Sequence, residues 1–141
     1  MITALDTNVL LDILLANEKF VEISTQALEE AAAAGSLVVC DLVYAELCAH
    51  FRARQGCDEF LEENEIRIEA LSRSASFLAS QVWRSYRRQG GKRNRILADF
   101  LIGAHAQLQA SCLLSRDRGF YRAMFPTLRL IDPTGSGKRK A

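Results

Sequence analysis

Four carboxylates stand where they could do metal-assisted chemistry: Asp6 in "LDTNVLLD", Glu46 in "YAEL", Asp99 in "ILADFLIGAHA" and Asp117 in "LLSRDRGFY". Each has an ordinary structural explanation on its own. Asp6 opens an Asp-Thr-Asn run of residues that favour helix caps. Glu46 falls on the shoulder of the Val43, Leu47, Phe51 stripe, a common place for a solvated edge residue. Asp99 suits the first turn of a helix, and Asp117, between Arg116 and Arg118, suits an ion pair in a turn. Their chemistry emerges only as a set. Four acids on separate elements, if they converge, cannot all stay ionised without a cation. Carboxylate oxygens suit Mg2+ or Mn2+, and such ions activate water and stabilise the leaving oxygen of a phosphodiester.

Other site chemistries lack their residues. Cys40, Cys48, Cys57 and Cys112 show no C-x-x-C spacing, which argues against a zinc site. Ser115 has no G-x-S-x-G around it, His50 and His105 have no evident nucleophile, and Glu46 with His50 does not form H-E-x-x-H. The terminal "GSGK" fails as a phosphate loop, because Asp132 stands where the first glycine is needed.

The elements that must position the acids follow from periodicity and punctuation. Strands are expected at 2–5, "SLVVC", "IRIEAL", "SCLLS" and "LRLID". Helices are expected over 7–15 with Thr7 as its cap, over "FVEISTQALEEAAAA" up to Gly35, and over "DLVYAELCAHFRA". Further helices follow at "CDEFLEEN", at "RSASFLASQVWRSYRRQ" behind a Ser72 cap, at "ILADFLIGAHAQLQA" and within "RDRGFYRAMF". In the last but one, Asp99, Gly103, Ala106 and Ala110 share a small-residue face that would let the helix approach the sheet. Alternating strands and helices predict a single α/β domain over residues 1–133 with a mostly parallel central sheet covered on both faces. Sites in such folds form beyond the carboxyl ends of the strands, where Asp6 and Asp117 fall. Residues 134–141, "TGSGKRKA", read as a disordered basic tail.

Charge is divided along the chain. Residues 1–70 hold fourteen carboxylates against four cations, whereas residues 71–141 hold fourteen cations against three carboxylates. This polarity predicts a basic surface for a polyanion. The N-terminus lacks a basic segment ahead of an apolar run, and no apolar stretch approaches the ~18 residues that span a bilayer. The expectation is a cytoplasmic protein with no membrane association.

The four acid-bearing segments, in this order and spacing across nearly the whole chain, resemble the PIN domain, specifically VapC-like toxins of bacterial toxin–antitoxin pairs. The resemblance implies a Rossmann-like three-layer α/β sandwich and a ribonuclease dependent on Mg2+ or Mn2+. It also implies an RNA substrate, a cognate antitoxin and a homodimer. The family's acids match Asp6, Glu46, Asp99 and Asp117, with Asp6 and Asp99 as principal metal ligands and Glu46 and Asp117 beside them. Asn8 and Ser115 match supporting polar positions. A further acid that often follows the fourth is replaced here by Gly119 and Phe120. The alternatives are a PIN-fold nuclease in RNA maturation or DNA processing, or a non-catalytic binding module.

With RNA as the polyanion, Arg84, Arg87, Arg88, Lys92, Arg93 and Arg95 before Asp99, with Arg116 and Arg118 around Asp117, become candidate phosphate contacts. Tyr86 or Tyr121 would be available for base stacking. The apolar residues of 9–15, with Phe20, Phe51 and Phe60, are read mainly as core, an antitoxin helix being the alternative occupant of that surface.

Overall fold

A computed structural model of the chain describes residues 1–91 and 95–135. Lys92 and Arg93 and most of the expected tail lie outside the described residues. Five strands, β1 (Ile2–Leu5), β2 (Ser36–Val39), β3 (Ile66–Ile68), β4 (Cys112–Leu114) and β5 (Leu130–Ile131), form one sheet in the order β3-β2-β1-β4-β5. Every pairing is parallel. The helices are α1 (Thr7–Leu14), α2 (Val21–Ala34), α3 (Asp41–Cys48), α4 (Arg54–Glu63), α5 (Arg73–Arg88), α6 (Leu97–Gln109) and α7 (Arg118–Met124). The result is the three-layer α/β sandwich expected. None of the helices among the described residues is long and apolar enough to cross a membrane.

Strand burial explains the parallel arrangement. Ala4, Leu5, Val38, Val39, Leu113 and Leu114 are all almost inaccessible, as strands covered on both faces require. From β1 the chain adds β2 and then β3 on one side, returning to the other side with β4 and β5. The strand order therefore reverses between β1 and β4. In open α/β sheets such a reversal is where the loops leaving the strands' carboxyl ends diverge and ligands bind. The register pairs Leu5 with Leu114, and Asp6 N donates to Leu114 O at 3.0 Å. Residues 6 and 115, far apart in the chain, thereby become neighbours at this reversal.

Two local expectations are corrected. The cap of α1 is Asp6, whose extended backbone (φ −85°, ψ 154°) precedes the first turn and whose carboxylate accepts from Thr7 N. Thr7 is the first helical residue, and its hydroxyl points elsewhere. Helix α3 stops at Cys48, because His50 N and Phe51 N turn back to Leu47 O and Cys48 O in tightened i→i+3 bonds. The small-residue face of α6 does permit close approach, but at Gly103 the neighbour is an aromatic ring. A Cβ there would stand 2.4 Å from the Phe125 side chain beyond α7. The Ser72 cap of α5 is as expected, its Oγ accepting from Ala75 N at 3.0 Å.

Candidate active site at the reversal of strand order

Asp6 leaves β1 almost buried, 7% exposed, and its carboxylate is held on three sides. Oδ1 accepts from Thr7 N at 2.8 Å. Oδ2 accepts from Ser115 Oγ at 2.7 Å and, more weakly, from Asn8 Nδ2 at 3.4 Å. Ser115 Oγ in turn accepts from Asp117 N at 2.9 Å, and Asn8 Oδ1 accepts from Arg116 N at 3.1 Å. One serine hydroxyl thus fastens the turn after β4 to the acid after β1. Asn8 and Ser115 both hydrogen-bond Asp6 and the turn that carries Asp117.

The other acids surround this hub. Glu46 reaches it from α3, with Oε1 accepting a short hydrogen bond from Thr7 Oγ1. Asp99 sits in the first turn of α6, its Oδ2 3.4 Å from Ile96 N. Asp117 is gripped in bidentate fashion by Arg95, Nη1 to Oδ2 at 2.6 Å and Nη2 to Oδ1 at 3.2 Å. The same guanidinium lies 4.0 Å from Asp99 Oδ2 and 4.3 Å from the centroid of the Phe120 ring. The ordinary explanations also hold: Asp6 caps a helix, Asp99 sits at a helix start and Asp117 is ion-paired. The same geometry brings the four near enough for their charges to act on one another.

Their electrostatics report that gathering. Burial pushes the Asp6 carboxyl above its ordinary value, and the negative charge of Glu46 adds to the shift while Ser115, Thr7 and Tyr121 oppose it. Burial also raises Asp99, with Asp117 and Glu46 adding repulsion and Ile96 N and Arg95 opposing it. The hydrogen-bonded Asp117 raises Arg95. Tyr121, 1% exposed on α7, carries a hydroxyl that burial and then the charges of Asp6 and Asp99 hold firmly protonated. It is a neutral donor facing Asp6. Sequence reasoning missed this role and assigned Tyr121 to base stacking, which its burial between Phe120 and Phe125 precludes. The signal was its position four residues after Asp117, one helical turn into α7.

Among the described residues no three His, Cys, Asp or Glu side chains close on one point as a preformed metal centre does. The donor set nevertheless suits a hard divalent ion. It is all oxygen, its members repel one another, and Arg95 is the cation the structure places against two of them. Asp6 and Asp99, the two acids whose protonation is favoured by burial, are the residues that would gain most from such a charge.

The candidate phosphate contacts divide into groups. Arg84, Arg87 and Arg88 are exposed on α5, and Arg118 is exposed at the start of α7. Arg95 is committed to Asp117. Arg116 is committed to Asp12, with Nε 2.7 Å from Oδ2 and Nη2 2.9 Å from Oδ1. Tyr86 is half-buried with its ring 5.3 Å from Phe100. Phe51 and Phe60 stack at 6.2 Å against the core, and Phe20 lies 3.9 Å beneath the Arg116 guanidinium.

Comparison with known proteins agrees with the fold. A family model described as PIN domain matches residues 3–126. A structure of VapBC2 from Rickettsia felis bound to a promoter DNA fragment is 23% identical, with a TM-score of 0.73, covering 94% of this chain and 98% of that one. VapBC-1 from nontypeable Haemophilus influenzae is 19% identical with a TM-score of 0.71, covering 95% of this chain and 99% of that one. A toxin–antitoxin complex from Klebsiella pneumoniae is 20% identical with a TM-score of 0.67, covering 93% and 97%. No curated protein matches the chain.

Proposed function

The chain belongs to the PIN domain family, and from that premise we propose that it is a metal-dependent endoribonuclease, the toxin of a toxin–antitoxin pair. One observation supports the reading: Asp6, Glu46, Asp99 and Asp117 come from four separate elements and lie near enough beside the β1–β4 reversal for their charges to act on one another. Structural proteins rarely gather like charges in a half-buried crevice, and pKa values shifted by burial and neighbouring acids mark functional sites. The toxin assignment draws on the VapBC and toxin–antitoxin complexes that share the fold. The same reading includes a protein antitoxin as partner, as in those complexes, and a homodimeric state.

The residues divide the work. Asp6 and Asp99 would hold Mg2+ or Mn2+, with Glu46 and Asp117 at the periphery. Such an ion supplies positive charge where a phosphodiester gains negative charge during hydrolysis. Ser115, Asn8 and Thr7 N fix the Asp6 carboxylate so that it need not reorganise. Thr7 orients Glu46, an acceptor for a proton leaving water. Tyr121 supplies a donor that stays neutral beside the acids. Hydrolysis in this manner leaves 5′-phosphate and 3′-hydroxyl ends.

The test is cleavage of an RNA pool with Mg2+ or Mn2+, with chelator, and with Asp6→Asn and Asp99→Asn chains. Loss of a hydrogen-bonded neighbour of a metal ligand costs about 10–100-fold, so loss of a ligand should reach at least the upper end. Equal cleavage by all three chains, or cleavage indifferent to chelator, defeats the assignment. Cleavage of DNA in preference to RNA would move the reading to DNA processing.

A further inference from the structure

One side of α5 carries Phe77, the half-buried Trp83 and then Arg84, Arg87 and Arg88. A groove of about 800 Å3 runs along it, walled by Phe77, Trp83, Arg84, Arg87 and Arg88. A second cavity of about 350 Å3 has Trp83 and Arg87 in its wall as well, and Arg95 at its border. The two are therefore consecutive, divided by Trp83 and the Arg87 guanidinium 5.3 Å from its ring centroid. At the inner end Arg95 contacts Asp117 at 2.6 Å and approaches Asp99 at 4.0 Å. A path of cations and rings leads from Phe77, 64% exposed, to the carboxylates.

We propose that α5 is a track for single-stranded RNA, with an unpaired base stacked at Trp83 and successive phosphates on Arg84, Arg87 and Arg88, delivering the strand past Arg95 to the acids. This inference rests on the nuclease reading and adds where the substrate lies. Three observations select this occupant. Helix α5 contains no Asp or Glu, and none of the three arginines is held by a carboxylate among the described residues, unlike Arg95 and Arg116. Their spacing, i, i+3 and i+4, keeps them together on one side of the helix. Aromatic walls accept any base but only when it is unstacked, which a duplex does not offer. A second copy seated symmetrically on this face would bring its own arginines against these, at a repulsive cost.

Trp83 is the only tryptophan, so its emission reports on the track directly. The full-length Asp6→Asn chain is titrated with a labelled 12-nucleotide single-stranded RNA of mixed sequence, following RNA anisotropy and tryptophan emission together. Emission should be quenched in parallel with binding, and an equivalent duplex should not quench it. Trp83→Ala should weaken binding about 5–150-fold, the range for one base–aromatic stack, with Trp83→Phe restoring most of it. Arg84→Ala and Arg87→Ala, which leave the packed ring in place, should each lower the salt slope by about 0.7. Binding without quenching, or arginine variants with unchanged salt slopes, overturns the track. So does a dimer that Phe77→Ala dissociates while RNA affinity stays constant, since the face is then an interface between copies. Metal-dependent cleavage indifferent to Trp83→Ala removes the track and leaves the nuclease reading. Quenching by RNA in a native chain that never cleaves supports the track and removes that reading.

Discussion

Arg116 forks onto Asp12, joining the turn between Ser115 and Asp117 to the middle of α1. Asp12 is 2% exposed, and its Oδ2 also accepts from Ser24 Oγ of α2 at 2.7 Å. With Arg116 N on Asn8 Oδ1 and the guanidinium over Phe20, this one arginine ties together α1, the start of α2 and the site's last acid. The sequence placed Arg116 among candidate RNA contacts. Its partners make it a brace for the turn.

Removing one member of that pair leaves a buried charge uncompensated. Asp12→Ala should destabilise the fold by about 3–5 kcal/mol, read as a lower urea midpoint. The double variant Asp12→Leu with Arg116→Met should recover much of the loss, because it removes both charges together. A double variant as unstable as the single one would show that the brace acts through packing alone.

Ser115→Ala should cost about 1–3 kcal/mol, since the hydroxyl satisfies both Asp6 and the amide of Asp117. Its effect on turnover should be larger than stability explains, about 10–100-fold, by the precedent of groups that orient metal ligands. Ser115→Thr keeps the hydroxyl and should retain more activity than Ser115→Ala at equal folded fraction. Parity between the two would remove the orienting role.

Arg95 competes with any cation for the same carboxylates. Arg95→Ala should therefore raise the affinity for Mn2+ several-fold, because Asp117 and Asp99 lose a neighbouring positive charge. Calorimetric titration of the folded variant against the native chain reads this directly. Weaker Mn2+ binding would instead make Arg95 a residue that holds Asp117 in place for the ion.

His105 offers a pH test remote from the acids. It is 1% exposed on α6, with Nε2 3.0 Å from Glu69 Oε1. Burial lowers its pKa below the ordinary histidine value of about 6.5, against the pull of Glu69. In this window the unfolded chain binds the proton more readily, so stability is full above about pH 6.5 and falls as pH drops through the folded value. His105→Gln should flatten that part of the Tm-versus-pH curve. An unchanged curve would place the acid sensitivity elsewhere.

Much of this architecture was readable from local signals. Apolar runs marked buried strands, Ser72 marked the start of α5, and the three polar residues after β1 marked a site. What local signals could not supply was pairing across the fold. Thr7 read as a cap because cap-type residues look alike in sequence, yet Asp6 holds that position and the Thr7 hydroxyl serves Glu46. Arg95 and Arg116 look like any basic surface residue until Asp117 and Asp12 are brought opposite them. Tyr121 reads as a helix residue beside a charged turn, and only tertiary packing of α7 buries its hydroxyl among acids.

The 2.7 Å bond from Ser115 to Asp6 spans 109 positions of the chain. Because β4 must pair with β1 before the two can meet, this centre is assembled last during synthesis. A growing polypeptide that has already formed β1, β2 and β3 still lacks Ser115, Asp117 and the tyrosine of α7. The carboxylate cluster, and with it the proposed nuclease activity, is thus withheld from the nascent chain by topology until most of the polypeptide has left the ribosome.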